Sequence, residues 1–518
     1  MLGRRALRLD VLKSTVSAIG LLLAAGAQAA PVVITQNGPV TGFAAEDMRQ
    51  FLGIRYAAPP VGDLRWQPPQ PVPQVLATRV ATSFGAHCSQ PPSPYGIAST
   101  TEDCLYLNVF TPKLAKADSK LPVLVWIHGG ALLVGLSDGY DPAQLVTTGN
   151  VIVVTLNYRL GYFGYLATSG LDAEGHVAAN YGLQDQQFGM DWVRRNIAGF
   201  GGDPGKITIF GESAGGLSVL SNVVSPTAYG LFRSAIVESG AYALNLPSLA
   251  QAETSGAVVA SALGCVPTDT VCLRAATPTQ IVGTELAAGI SITTIVDGTT
   301  LPASIGTALK DGRFNRVPLL NGSNHDEYRQ FLSAAAGLTA AQYPAALAGI
   351  YGATLGAAVA ANYPVTRYAK PVLALAAVIT DQVFTCTARE VDHLASGYVP
   401  VYTYEFNDRN APEDFLPRAG YNFGASHASE IQFLFTVPKL PGTRKLDPAE
   451  LRLSTTMVKY WTAFARATSP DRAGLPSWAP FARSTDQFQS LAPDAIAPET
   501  NFAAMHHCAF WAPIIKPI

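Results

Sequence analysis

The stretch FGESAGG, Phe210–Gly216, sets a serine between two glycines, each two positions away. It follows the β-branched run Ile207–Phe210 and precedes an apolar helical pattern that starts near Leu217. Strand, tight turn and helix in that order are the setting of a GxSxG nucleophile elbow. Such a turn strains the serine backbone and lifts its Oγ clear of the sheet, and glycines at 211 and 215 let neighbouring backbone pass closely. Ser213 is therefore the candidate nucleophile.

Working outward, short apolar runs rich in β-branched residues recur at Val123–Ile127, Val151–Leu156, Ala235–Val237, Val317–Leu320 and Val401–Tyr404. Helical spacing fills the segments between them, as in Asp185–Asn196, where Phe188, Trp192 and Val193 share a face. The alternation predicts an α/β fold: a central, mostly parallel sheet with helices on both faces. VVITQNGPVTGF predicts a hairpin around Asn37-Gly38 and N-terminal antiparallel strands. In the alanine- and leucine-rich segment 333–378, Pro344, Tyr351, Asn362, Pro364, Arg367, Lys370 and Pro371 are expected to interrupt the pattern. That reads as several short helices laid over the sheet, with no apolar span of membrane length.

Of the 518 residues, 48% are hydrophobic and 14% charged, enough apolar surface for a large core and too little charge for a disordered tail. Residues 1–29 read as a secretory signal: Arg4, Arg5, Arg8 and Lys13 precede the apolar run Ala18–Ala25, and Ala27-Gln28-Ala29 supplies the cleavage site. The run falls short of the roughly 20 residues a membrane anchor needs. Residues 30–518 are then expected to form a single exported domain, secreted or periplasmic, with no stable membrane anchor. Removing residues 1–29 shifts the net charge from −2 to −5, which gives nucleic acid nothing to bind. Oligomeric state is left open.

Export permits disulfides, and the six cysteines are an even number. Cys265 and Cys272 lie close enough to close a small loop, as do Cys88 and Cys104, with Cys386 and Cys508 left over; other pairings are open on sequence alone. No CxxC, HExxH or paired-histidine spacing suggests a metal.

A serine hydroxyl needs a base to take its proton, and the oxyanion its attack creates needs preorganised donors. WIHGGA, Trp126–Ala131, ends a strand in adjacent glycines, so the amides of Gly129 and Gly130, with that of Ala214, are the expected oxyanion hole.

With these motifs the chain resembles the type B carboxylesterases, the α/β-hydrolase family that includes the cholinesterases. The resemblance extends over FLGIRYAAPPVGDLRW from Phe51, EDCLYLNVFTP from Glu102, the HGG segment and NYRLGYFGY from Asn157. It continues through NYGLQDQQFGMDWVRRNIAGFGGDP from Asn180, VDGTTLP from Val296 and HCAFW from His507, nearly the whole mature chain. It implies an α/β-hydrolase fold with helical insertions over the active site, no metal or organic cofactor, and a small-molecule ester substrate. The family's acid lies in a GxNxDE segment, here Gly322–Glu327, making Glu327 its counterpart with Asp326 as fallback. Its base lies in a GxxHxxE segment, here Gly424–Glu430, making His427 the counterpart. The order serine, acid, histidine along such chains leaves His393, His427, His506 and His507 after Glu327; the other three suit a helix or the neighbourhood of a cysteine better. The resemblance also implies Cys88–Cys104, Cys265–Cys272 and Cys386–Cys508.

The chain departs from its relatives in places. Ala131 replaces the third glycine after HGG, and the loop between Cys88 and Cys104, SQPPSPYGIASTTED, is short and lacks the tryptophan on which cholinesterases hold a cationic substrate. A choline ester specialist is therefore not expected. Glu212 is expected to anchor a buried hydrogen-bond network rather than attract a cation, and Ser239 to support the site from behind. The expected activity is hydrolysis of carboxylic esters through an acyl-enzyme on Ser213. A lipase, an amidase or urethane hydrolase, and a depolymerase for an esterified polymer or toxin use the same triad. An inert binding homologue would have lost triad members, and here all three positions are filled.

Overall fold

The computed structural model describes residues 30–288, 291–413, 415–417 and 419–517, and side chains other than those of residues 286–288; the expected signal segment 1–29 lies outside them. Its strands, in chain order, are β1 (Val32–Thr35), β2 (Gly38–Thr41), β3 (Phe43–Ala44), β4 (Met48–Arg55), β5 (Arg79–Val80), β6 (Tyr106–Pro112), β7 (Leu121–Ile127), β8 (Ile152–Leu156), β9 (Gly202–Glu212), β10 (Ser234–Glu238), β11 (Leu319–Asn324), β12 (Val401–Phe406), β13 (Phe488–Leu491) and β14 (Ala497–Glu499). Eleven of them build one sheet in the order β14-β13-β12-β11-β10-β9-β7-β8-β6-β4-β3. From β8 to β13 neighbouring strands are parallel; β6, β4 and β3 add antiparallel strands at one edge and β14 at the other.

This is the α/β-hydrolase architecture expected from the sequence, with one difference. The hairpin at Asn37-Gly38 forms, but β1 and β2 pair with β5 in a small sheet of their own instead of extending the large one.

The continuous apolar runs have a simple cause. Every residue of β7 is buried, because helices cover both faces of the sheet. Successive side chains point to opposite faces: Val123, Val125 and Ile127 join one core, Leu124 and Trp126 the other. The first core packs against the helices Tyr181–Asn196 and Ala214–Val224 through Leu183, Met190, Leu217 and Val223. The second packs against Pro448–Ala467 through Leu453, Met457, Trp461 and Phe464.

The segment 333–378 forms short helices, as expected: the stretch Tyr343–Asn362 is broken at Gly352, whose φ 76° and ψ 164° are non-helical, and Pro371–Ile379 begins another. Pro344 and Pro371 start these helices rather than break them, because a first-turn residue needs no N–H partner. Among the described residues, Tyr343–Arg367 and Pro371–Ala395 are long and apolar enough to cross a membrane by length and composition alone, but Gly352 interrupts the first and most of the second is buried inside the protein.

Three disulfides close the structure: Cys88–Cys104, Cys265–Cys272 and Cys386–Cys508, spanning 16, 7 and 122 residues. Loop-closure entropy gives them about 3, 2 and 5 kcal/mol respectively. Paired Cys→Ala replacement should therefore lower the urea midpoint most for Cys386/Cys508 and least for Cys265/Cys272. The reverse order would contradict an entropic origin.

Candidate active site

β9 ends at Glu212, and the chain turns at once into the helix Ala214–Val224. Ser213 stands at the turn with φ 56° and ψ −123°, a strained conformation for a residue with a side chain. Its amide donates to Glu238 O at 2.9 Å, which ties the elbow to the end of β10. The flanking glycines are needed for close approach. A Cβ on Gly211 would lie 2.5 Å from Ile127 O, and one on Gly215 only 2.0 Å from the same oxygen.

β7 delivers the next part. Beyond Ile127 the chain passes beside the elbow, and a Cβ on Gly129 would lie 3.1 Å from Ser213 Cβ. Gly130 has φ 105°, and its carbonyl accepts from the amides of Leu133 and Val134. Among the described residues, the amides of Gly129, Gly130 and Ala214 donate to no protein acceptor. The latter also opens the first turn of an eleven-residue helix, where the macrodipole favours negative charge.

β11 and the loop after β12 bring two further side chains together. Glu327 is fully buried, and its Oε2 lies 2.6 Å from His427 Nδ1. Its Oε1 accepts from the Asn324 amide at 2.8 Å. The His427 backbone is fixed on both sides: its N–H donates to Glu327 O at 3.2 Å, and its carbonyl accepts from Gln330 Nε2 at 3.0 Å. Asp326, the fallback acid, is engaged elsewhere, with Arg329 at 2.7 Å and the Ala425 amide at 3.1 Å. His393 pairs with Asp486, and His506 with Asp381 and Glu405.

The other imidazole nitrogen, Nε2, lies 3.2 Å from Glu212 Oε1. The Ser213 hydroxyl makes no hydrogen bond to a described residue. Contacts of this kind are often long in a free enzyme and tighten when substrate binds.

The Glu212 Oε1 is buried without a hydrogen-bond donor, and the carboxylate faces the imidazole beside Glu327. Burial raises its pKa to about 7, against the opposing pull of His427. Burial likewise raises Glu238 to about 8, although Trp461 Nε1 donates to it at 2.7 Å, and holds Glu430 well above the usual range. Carboxyls crowded into one dry region cannot all ionise, and Glu238 and Glu430 retain protons more readily than surface carboxyls do. Ser239 follows β10 with φ 49° and a buried hydroxyl that has no partner among the described residues; its amide donates to Gly322 O at 2.9 Å, joining the end of β10 to β11.

Sequence reading missed the aromatic walls. Phe331 and Phe384 pack against His427 with ring centroids 5.2 and 5.0 Å away. Tyr95, from the short loop between Cys88 and Cys104, stands against Phe415 and near Glu212, whose charge adds to burial in raising the phenol's pKa. No local pattern announces these residues, because each comes from a different loop. Two cavities of about 490 and 520 Å³ lie elsewhere and touch none of Ser213, Glu327 and His427, so geometry rather than volume marks the site.

A carboxylesterase family model matches residues 29–511. The chain belongs to the carboxylesterase family. This carboxylesterase is 34% identical to the acylcarnitine hydrolase of Mus musculus, over 87% of this chain and 86% of that one. It is 33% identical to the cocaine esterase of Homo sapiens, over 98% and 96%. Among solved structures it is similar to a PNB esterase, at TM-score 0.77 and 33% identity, covering 91% of this chain and 97% of that one. The carboxylesterase is thus a serine-type carboxylic ester hydrolase acting on small-molecule esters.

Proposed function

We propose that Ser213 is the nucleophile, His427 the general base and Glu327 the acid that orients it, with the amides of Gly129, Gly130 and Ala214 as the oxyanion hole. The observation that carries this is the buried 2.6 Å Glu327–His427 hydrogen bond, with the far imidazole nitrogen directed at the residue next to Ser213. Glu327 keeps the proton on Nδ1, so Nε2 presents a lone pair. As Oγ bonds to the ester carbonyl carbon, its proton passes to Nε2 and the carbonyl oxygen gathers negative charge before the three amides. Collapse of that intermediate expels the alcohol, protonated by His427. Water, deprotonated by the same histidine, then releases the carboxylic acid from Ser213. Acid quenching during turnover of p-nitrophenyl butyrate should trap a butyryl ester on the peptide containing Ser213; turnover with no acyl adduct on any peptide would reject the mechanism.

The pH dependence follows from the carboxylates around the ring. His427 must be neutral to accept a proton, so kcat/KM rises as pH climbs through its pKa. Burial lowers that pKa, but Glu212 and Glu327 together outweigh burial and hold it above the ordinary histidine value. Glu212→Gln removes one carboxylate that favours the imidazolium, so the acid limb of kcat/KM should move to lower pH. An unmoved or higher midpoint would contradict the assignment.

Neutral or weakly polar acyl esters suit a histidine walled by Phe331 and Phe384. The names of the relatives, among them a medium-chain fatty acyl-CoA hydrolase precursor of Anas platyrhynchos, support a site that takes acyl chains. A panel of esters graded by acyl length and alcohol bulk tests this, with an amide and a carbamate as the competing arms. Residues 30–518 would act as one catalytic unit without metal or organic cofactor, nucleic acid or membrane anchor. Signal cleavage after Ala29 would deliver it to an oxidising compartment, a destination that the three disulfides support.

A further inference from the structure

His325, Asp381, Glu405 and His506 come from four separate stretches of the chain and meet in one polar cluster one strand away from the site. His325 is the first residue beyond β11, and its Nδ1 donates to Glu405 Oε1 on β12 at 2.9 Å. His506, in the C-terminal segment next to Cys508, donates from Nε2 to the same oxygen at 2.6 Å and from Nδ1 to Asp381 Oδ1 at 2.6 Å. Tyr363 donates its hydroxyl proton to Asp381 Oδ2 at 2.7 Å and accepts from Trp511 Nε1 at 2.7 Å. Glu405 Oε2 is satisfied by Asn407 at 2.8 Å, and Glu499 adjoins Glu405.

Two donors on one ring make His506 a buried imidazolium between two carboxylates, and those carboxylates, outweighing the burial that lowers it, raise its pKa to about 10. Two ligands on a tetrahedral zinc stand about 3.3 Å apart. The 2.6 Å contacts are therefore proton-bearing hydrogen bonds, not the spacing of metal ligands.

The cluster reaches the candidate site by three routes. His325 sits two residues before Glu327. The Tyr328 amide donates to Thr380 Oγ1 at 3.0 Å, binding the turn after Glu327 to the segment that carries Asp381. That segment, Thr380–Thr385, is a π-helical turn, an irregularity frequent at functional sites, and it places Phe384 against the His427 ring.

We propose that His506 is a positioning residue, whose two hydrogen bonds hold the Glu327 turn and the Phe384 segment in register on either side of His427. This rests on the roles proposed above for Glu327 and His427. His506→Gln keeps the size but cannot donate to both carboxylates in the same way. It should lower kcat about 10- to 100-fold, the cost of small misplacements in an active site, with KM within about two-fold. As Glu327 slackens against His427, the acid limb of kcat/KM should move to lower pH, and the low-field proton resonance of His427 Nδ1–H, identified by its loss in His427→Gln, should shift. His325→Leu, which cuts the first link, should share this signature, whereas His325→Gln, which keeps a donor toward Glu405, should recover most of the activity. Near-UV circular dichroism and an intact Cys386–Cys508 bridge establish folding; should His506→Gln not fold, the His325 pair decides. A folded His506→Gln or His325→Leu with wild-type kcat and an unmoved resonance overturns the proposal. Wild-type protein that takes no fluorophosphonate on Ser213 would instead overturn the hydrolytic roles, while the resonance still decides the positioning.

Discussion

Ser213→Ala should lower kcat for p-nitrophenyl butyrate by about 10⁵- to 10⁶-fold, as removal of the nucleophile does in other serine hydrolases. The loss is this large because no second hydroxyl at the elbow takes over: Ser213 alone occupies the strained turn between Glu212 and the helix Ala214–Val224. The fold should be untouched, since the Ser213 amide keeps its bond to Glu238 O and alanine fits the same space. The residual rate should still exceed the rate in water by about 10³- to 10⁴-fold, because the oxyanion donors are backbone groups that the substitution leaves in place. Stopped-assay kinetics with active-site titration checks both numbers; a variant with turnover within ten-fold of wild type would place the nucleophile elsewhere.

Glu327→Gln should cost about 10⁴-fold in kcat, with little change in KM. Glu327 is fully buried, and each oxygen is committed, Oε1 to the Asn324 amide and Oε2 to His427 Nδ1. An amide of the same shape must offer one NH₂ to a partner that needs an acceptor. If the NH₂ faces His427, the ring takes the tautomer with its proton on Nε2 and cannot accept from Ser213. Turned the other way, the NH₂ opposes the Asn324 N–H and loosens the turn. Both outcomes slow acylation without removing a group that touches the ester, so the kcat–KM split separates orientation from binding. A drop below about 100-fold would mean that another carboxylate, Glu212 above all, orients the ring.

Local chemistry made much of this legible in the sequence. A strand buried on both faces needs an unbroken apolar run, and LPVLVWI shows one; the elbow needs glycines where an added Cβ would lie 2.5 Å or less from Ile127 O, and Gly211 and Gly215 supply them. What could not be read depends on where separate segments land. Phe331 and Phe384 carry no mark of their own, and only the tertiary fold sets them against His427. Nothing in FGESAGG reveals that His427 Nε2 arrives 3.2 Å from the Glu212 carboxylate. Pro344 and Pro371 looked like breaks for a subtler reason: the same ring that ends a helix in its interior is neutral in its first turn, and position within the helix is a property of the whole segment.

Mapping the adduct of a fluorophosphonate probe by peptide mass spectrometry tests the central claim most directly. One phosphonyl group per chain on Ser213, formed far more slowly in His427→Gln, is the predicted result. Labelling of a different serine, or full esterase activity in a chain that takes no label, would contradict it.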